Sequence, residues 1–212
     1  LSILAIDAAG PLAGVAVLAA DGSIPFRGFV AGQPGLITTL PVLLAEAAET
    51  PGLTEVAVTL GPGSFTGLRT AIALAQGFAA ARGLPLDGIT AFEAYTAGLP
   101  GLQRTLWVAA RARRGRLFLM RGGSAEAFAD EDLPRNTGPV ALAGDAAAPA
   151  AARLAATGAD VMLTDARQID PLWVALATAA RRRAHLPYRD ATPLYVDPPE
   201  AKSPAGLRPP PA

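Results

Sequence analysis

Between Thr54 and Thr90 the chain runs TEVAVTL, then GPGSF, then TGLRTAIALAQGFAAARG, then LPLDGIT. A continuous apolar run of strand length breaks at a glycine-proline turn. It enters a helix that Gly83 and Pro85 stop, and returns as a short strand. A buried strand that feeds a helix and comes back as a strand needs a helix-covered sheet, so this unit alone restricts the chain to an α/β fold.

The flanking residues extend that unit. SILAID, at residues 2–7, is a nearly continuous apolar run. GVAVLAA follows the Gly10-Pro11 turn and ends at Asp21-Gly22, a hairpin signal. SIPFRGFV reads as a third strand, and Pro25 places it at a sheet edge. In LITTLPVLLAEAAET, Leu36, Leu40, Leu43, Leu44 and Ala47 recur at helical spacing, with Pro41 tolerable as a kink or near a first turn. LDGIT and AFEAYTAG complete a β-β-β-α-β-α-β-α order over residues 1–100.

GLPGLQ, residues 98–103, reads as a linker. Beyond it, RTLWVAAR and RGRLFLMRG form a hairpin around Arg114-Gly115. PVALAGDA and DVMLT read as strands, and APAAARLAATG and PLWVALATAARRRAHL as helices. The second half, residues 101–190, thus echoes the architecture of the first without a fixed-period repeat. Residues 191–212 form a Pro-rich tail expected to be extended or disordered.

Composition removes several function classes. Hydrophobic residues make up 51% and charged residues 17% of the 212, with alanine supplying the surplus, and the net charge is zero. This is a soluble, globular composition with no global bias toward nucleic acid or membrane. With no cysteine, thiolate metal sites, disulfides and cysteine nucleophiles are excluded. The single histidine, His185, reads as a solvated helix-end residue. The N-terminus lacks a basic start before its apolar run, and Asp7 and Gly10-Pro11 interrupt it, so a signal peptide is not expected. No apolar run of membrane-spanning length is present.

The glycine loop invites a phosphate reading and then fails it. Gly61, Gly63 and Gly67 miss the dinucleotide spacing by one residue, with Thr66 in the third glycine's place. A P-loop needs a lysine, which is absent, and Arg69 is misplaced for that role. Two readings remain open: a strand-to-helix junction capped by Ser64 or Thr66, and an anion site at the helix N-terminus. The helix behind the loop is mostly small residues. Either they pack closely on this chain's own sheet, or they offer a flat surface to another subunit. Asp7, at the end of the first strand, is the type of carboxylate that holds a metal–phosphate group. However, Ala8 and Ala9 follow it, and two methyls cannot bind phosphate. Arg111, Arg113, Arg114, Arg116 and Arg121 form the densest basic patch, read as a solvated hairpin or an RNA or acidic-partner contact.

Taken in order, ILAIDAA, GPGSFTGLRTAIALAQGFA, ARRGRLFL and the late PLYV resemble the bacterial TsaB (YeaZ) family over nearly the whole chain. The motif loop comprises Gly61, Pro62, Gly63, Ser64, Phe65, Thr66, Gly67 and Arg69. The resemblance implies a two-lobed actin/Hsp70-like (ribonuclease H-like) fold, each lobe a mixed sheet flanked by helices. It implies a cytoplasmic, non-catalytic dimerisation subunit for tRNA threonylcarbamoyladenosine formation, without metal or cofactor. Its partners would be a TsaD-like catalytic subunit and a TsaE-like ATPase, with tRNA met through the complex and a homodimer formed when alone. The implied partner surface lies on two helices, at Leu36, Leu40, Leu43 and Leu44 and at Thr70, Ala73, Gln76 and Gly77. Asp7 would be a vestige of a nucleotide loop. The catalytic paralogue's histidine pair has no counterpart, and nothing points to a peptidase. The chain departs from the family at Ala8, where Thr or Ser is usual, at Arg111, where Asp is common, and at Gln33-Pro34, where a histidine is common. The rival reading is an active actin-fold phosphotransferase, with Asp145 in LAGDAA as its second acidic loop.

Overall fold

The computed structural model describes residues 1–112, 115–135 and 138–196, apart from the side chains of residues 33 and 34. The chain starts with an antiparallel meander of β1 (Ile3–Asp7), β2 (Leu12–Leu18) and β3 (Phe26–Ala31). Ile3 pairs with Leu18 and Asp7 with Gly14. All of β1 is buried, whereas β3 alternates half-buried and exposed residues at the sheet edge, where Pro25 pointed.

The helical pattern that follows forms two helices, α1 (Gly32–Thr38) and α2 (Leu40–Ala48), which meet at Thr39. Pro41 sits in the first turn of α2, where a missing N–H leaves no hydrogen bond unmade. Next come β4 (Glu55–Gly61), α3 (Phe65–Arg82), β5 (Leu86–Thr90) and α4 (Ala91–Gly98). β4 runs parallel to β1, and β5 parallel to β4. A capping box starts α4: the Thr90 hydroxyl accepts from the Glu93 amide at 3.2 Å, and Glu93 Oε2 accepts from the Thr90 amide at 2.9 Å. The first sheet has the order β3-β2-β1-β4-β5.

The second sheet repeats that order. β6 (Thr105–Arg111), β7 (Arg116–Arg121) and β8 (Ser124–Ala129) form its meander, and β9 (Val140–Ala143) and β10 (Val161–Leu163) add in parallel beside β6. Its order is β10-β9-β6-β7-β8, the mirror listing of the first. β8 has no counterpart in the sequence reading. Its SAEAFA segment carries little β preference, and its signal is the Gly122-Gly123 turn, with φ of 56° and 92°. Arg113 and Arg114, at the turn of the expected hairpin, lie outside the described residues.

Two helices complete the chain, α5 (Ala147–Ala156) and α6 (Pro171–Arg183). α5 covers the second sheet, where Trp107, Leu117, Leu119 and Leu142 meet Ala147, Ala150 and Leu154. α6 crosses back to pack on β1, β2 and α4. The two faces of the first sheet therefore belong to different cores. Leu4, Ile6, Val56 and Val58 point toward α2 and α3. Ile3, Ala5, Ala57 and Ile89 point toward Tyr95 of α4 and Val174 of α6, in a core shared with Leu106, Val108 and Met120 of the second sheet.

After α6, residues 184–196 form a strap along the first lobe. The Gly88 amide donates to the Arg189 carbonyl at 2.9 Å, and the Leu194 amide to the Leu60 carbonyl at 2.8 Å. Buried charge fixes it. Asp87 and Glu55 are fully buried on β5 and β4. Asp87 accepts from Arg181 Nε at 3.1 Å, from the Arg189 amide at 2.7 Å and from the Arg182 guanidinium. Glu93 accepts from Arg181 at 3.1 Å and from both Arg189 Nη atoms at 2.6 and 3.0 Å. Arg182 Nε lies 3.2 Å from Glu55 Oε1. Three guanidiniums thus face three carboxylates, with Glu55 and Arg182 Nε meeting as an ion pair that lacks hydrogen-bond geometry. The expected tail from residue 191 begins as this strap, and residues 197–212 lie outside the described residues. Among the described residues, no helix is long and apolar enough to cross a membrane.

Candidate functional site

The glycine loop is built against the chain's own first turn. β4 ends at Gly61, whose φ of 105° suits glycine. The Ser64 amide donates to the Ala9 carbonyl at 2.7 Å. A Cβ on Gly63 would lie 2.3 Å from the Ala9 oxygen, and one on Gly67 2.0 Å from the Ala8 oxygen. Both glycines are therefore explained by close backbone approach. Ser64, not Thr66, caps α3: its hydroxyl accepts from the Gly67 amide at 3.2 Å. The Leu68 amide is taken by the Ser64 carbonyl at 2.9 Å. The Ser64, Gly67 and Leu68 amides are therefore satisfied from within. Pro62, between Gly61 and Gly63, is buried beneath the loop, and Thr66 is exposed.

Between the lobes lies a cleft of about 340 Å³. Ala8, Ala9, Gly10, Gly63 and Ser64 line one side, and Ala110, Arg111 and Asp145 the other. Asp7 is not among the lining residues. Its carboxylate is buried beneath the turn and accepts from the Ala9 amide at 3.3 Å. Burial pushes its pKa up to about 7, opposed by the Thr59 hydroxyl and the Ala9 amide. Burial also raises Asp145, against the Arg111 amide that donates to it at 2.9 Å. Both carboxylates are tied down by backbone. Among the described residues, no group of three His, Asp or Glu side chains is placed to hold a metal ion. His185 is exposed in the turn after α6, with φ of 54°.

α3 presents two contrasting faces. Gly67, Leu68, Ala71, Ile72, Ala75 and Ala79 are buried. Phe65, Arg69, Ala73, Gln76 and Gly77 are exposed, and Thr70 is half-buried with its hydroxyl on the Thr66 carbonyl at 2.9 Å. The expected surface leucines are placed differently. Leu36, Leu40 and Leu44 are buried in the core under α1 and α2, and Leu43 is half-buried. They hold the helices to the sheet, because an apolar stripe turns inward wherever a sheet is available to cover it. The exposed apolar residues of these helices are Ile37 and Val42, at 67% and 51% exposure.

Sequence reading missed a stack at the start of α3. The Arg69 guanidinium lies 4.8 Å from the centroid of the Phe65 ring. The Tyr195 ring, from the strap, lies 5.4 Å from Phe65 at 30°. The late PLYV segment was the available signal. In the second lobe, Arg121 sits over Trp107 and Phe128 and pairs with Glu126 at 3.1 Å, so its charge is engaged locally.

Comparison with known proteins gives the site its setting. No curated protein matches the sequence significantly. Among solved structures, a Pseudomonas aeruginosa protein described as uncharacterized with similarity to peptidase YEAZ superposes with a TM-score of 0.69 at 21% identity, covering 92% of this chain and 99% of that one. YeaZ from Pseudomonas aeruginosa gives 0.68 at 22%, with the same coverage. The ethanolamine utilization protein EutJ from Carboxydothermus hydrogenoformans gives 0.52 at 13%, covering 84% and 90%. These likenesses establish the fold: two mixed five-stranded sheets flanked by helices, of the actin/Hsp70-like and ribonuclease H-like kind. A family model described as TsaD, tRNA N6-adenosine threonylcarbamoyltransferase, matches residues 35–190, from α1 through α6 into the strap. With most of its length matched, the chain belongs to the TsaD family of tRNA-modification proteins.

Proposed function

We propose that this chain is a TsaB-type, non-catalytic scaffold subunit for tRNA threonylcarbamoyladenosine formation. In this reading the outward face of α3, flanked by α1 and α2, pairs with a TsaD-like catalytic subunit. A TsaE-like ATPase joins them, and the complex modifies the adenosine beside the anticodon in the cytoplasm. Gly77 carries the reading. It lies inside α3, and a Cβ there would meet nothing within 4 Å. Glycine in a helix interior costs about 1 kcal/mol relative to alanine. Among the described residues nothing packed on α3 demands that cost, whereas a partner approaching closely at Ala73 and Gly77 would. The turn that meets the glycine loop supports the same reading, because Ala8 and Ala9 offer the cleft no hydroxyl.

The test is co-purification with the TsaD-like subunit of the same organism, using Ala73→Glu and Gly77→Arg. Both variants should lose the partner without a lowered melting temperature. Retention by both would remove α3 as the pairing surface. Titration with ATP and magnesium should give no saturable heat. Stoichiometric binding there would favour the phosphotransferase reading, whose support is the inter-lobe cleft and Asp145.

A further inference from the structure

We propose that the pairing surface continues from α3 onto the C-terminal strap, and that the Phe65–Arg69–Tyr195 stack receives a carboxylate-bearing amphipathic helix of the partner protein. The inference rests on the scaffold reading and specifies the partner's chemistry. Phe65 and Tyr195 are 49% and 41% exposed although they are large and apolar. They come from opposite ends of the sequence and still meet at 5.4 Å. The strap places Tyr195 through backbone and core contacts. The Leu194 amide is bound to Leu60, the Ala191 side chain is buried, and Gln76 Nε2 donates to the Ala191 carbonyl at 3.1 Å. Gln76 therefore joins the strap to the outward face of α3.

Arg69 sets the partner's charge. Among the described residues, Arg27, Arg104, Arg111, Arg121, Arg181, Arg182 and Arg189 each have a carboxylate within 4 Å, whereas Arg82, at the far end of α3, donates to the Ala48 carbonyl. Arg69 has no such carboxylate, and its guanidinium is held over the Phe65 ring. No acidic residue lies on the exposed face of α3 from Phe65 to Gly77. An Arg already stacked on an aromatic loses little freedom on binding, which is the anatomy of an interface anchor. Phe65, Arg69, Ala73 and Gly77 recur every four residues, so they form one ridge that winds about 120° around α3 over about 18 Å. A partner helix lying along it meets charge and aromatics at one end and small residues at the other. The complement is a helix with Asp or Glu facing Arg69 and small or apolar residues about two turns away.

The test measures pairing with the TsaD-like subunit for Arg69→Glu, Tyr195→Ala, Gly77→Arg and a chain ending at Val196. Arg69→Glu and Tyr195→Ala should each weaken pairing roughly tenfold or more without lowering the melting temperature. An Asp/Glu→Lys change in the partner helix should restore binding to Arg69→Glu. The chain ending at Val196 should pair as wild type. If Gly77→Arg abolishes pairing while Arg69→Glu and Tyr195→Ala leave it intact, this inference fails and the scaffold reading stands. If none of the variants affects pairing, both fall. Tighter pairing after truncation would show that residues 197–212 occupy the stack instead. Loss of self-association alone in Arg69→Glu, by sedimentation, would assign the stack to a second copy. Either result overturns the proposal.

Discussion

The Ser64 amide and the Ala9 carbonyl are joined at 2.7 Å, so the turn after the first strand fills the concavity of the glycine loop. Backbone oxygens of Ala8 and Ala9 stand where a bound anion would need amides. Two of the loop's glycines are therefore reserved for the chain's own contacts, while Gly77, further along the same helix, is not.

Two glycines in one helix should accordingly respond with opposite sign. Gly67→Ala forces a methyl to 2.0 Å from the Ala8 oxygen and should destabilise the protein by about 1–3 kcal/mol or more. Gly77→Ala meets nothing and should stabilise it by up to about 1 kcal/mol. Urea denaturation of both variants checks the pair. Equal effects would refute the distinction drawn between them.

The strap's charge network should be costly to break. Asp87 is fully buried and accepts from three arginines. Asp87→Ala leaves guanidiniums without their counter-ion, and a loss of about 3–5 kcal/mol is expected. Arg189→Ala should cost less, since water reaches that side chain, which is 36% exposed. Guanidinium chloride midpoints for the two variants give the order.

The pH dependence should carry two opposite contributions. Asp7 keeps its proton up to about pH 7 when folded but loses it near 3.8 when unfolded. The unfolded chain then holds fewer protons between those values, so stability falls as pH rises through the window. For Glu93, burial pushes the pKa up, but the Arg189 guanidinium and the Thr90 amide and hydroxyl outweigh it and bring it down to about 2. Its contribution is complete above about 4.5 and is lost as pH falls toward 2. In denaturation curves across pH 2–8, Asp7→Asn should flatten the neutral side and Glu93→Gln the acid side. An unchanged profile in either variant would rule out that assignment.

Asp170 joins two elements that are remote in sequence. It caps α6 by accepting from the Leu172 amide at 2.9 Å, and it pairs with Arg27 of β3. Asp170→Ala should cost about 1–2 kcal/mol through the lost cap. Thermal melts of Asp170→Ala and Arg27→Ala separate the two roles. If the cap dominates, the Arg27 variant melts closer to wild type.

What the sequence made legible was local and strongly patterned. The continuous apolar runs of β1 and β4, the αL glycine Gly83 after α3 and the Pro41 turn each announce themselves through a short-range rule. β8 did not, because alanine and glutamate carry no strand preference and only its turn marks it. Helical spacing at Leu36, Leu40 and Leu44 identified a stripe but not what covers it, and the sheet claimed the leucines. The Phe65–Tyr195 contact and the Asp87 network were hidden for a different reason. Each joins residues about a hundred or more positions apart, and no window along the chain contains both partners.

The return of α6 and the strap to the first sheet has a consequence for synthesis. A ribosome delivers Glu55, Asp87 and the bare inner face of the first sheet well before Arg181, Arg182 and Arg189 leave the exit tunnel. The lobe made first is thus the lobe finished last. A nascent chain that stalls before α6 carries uncovered apolar surface and carboxylates without counter-ions, which makes it a substrate for chaperones and proteases. Only a chain translated through Arg189 can complete the charge network that closes the strap over the first sheet.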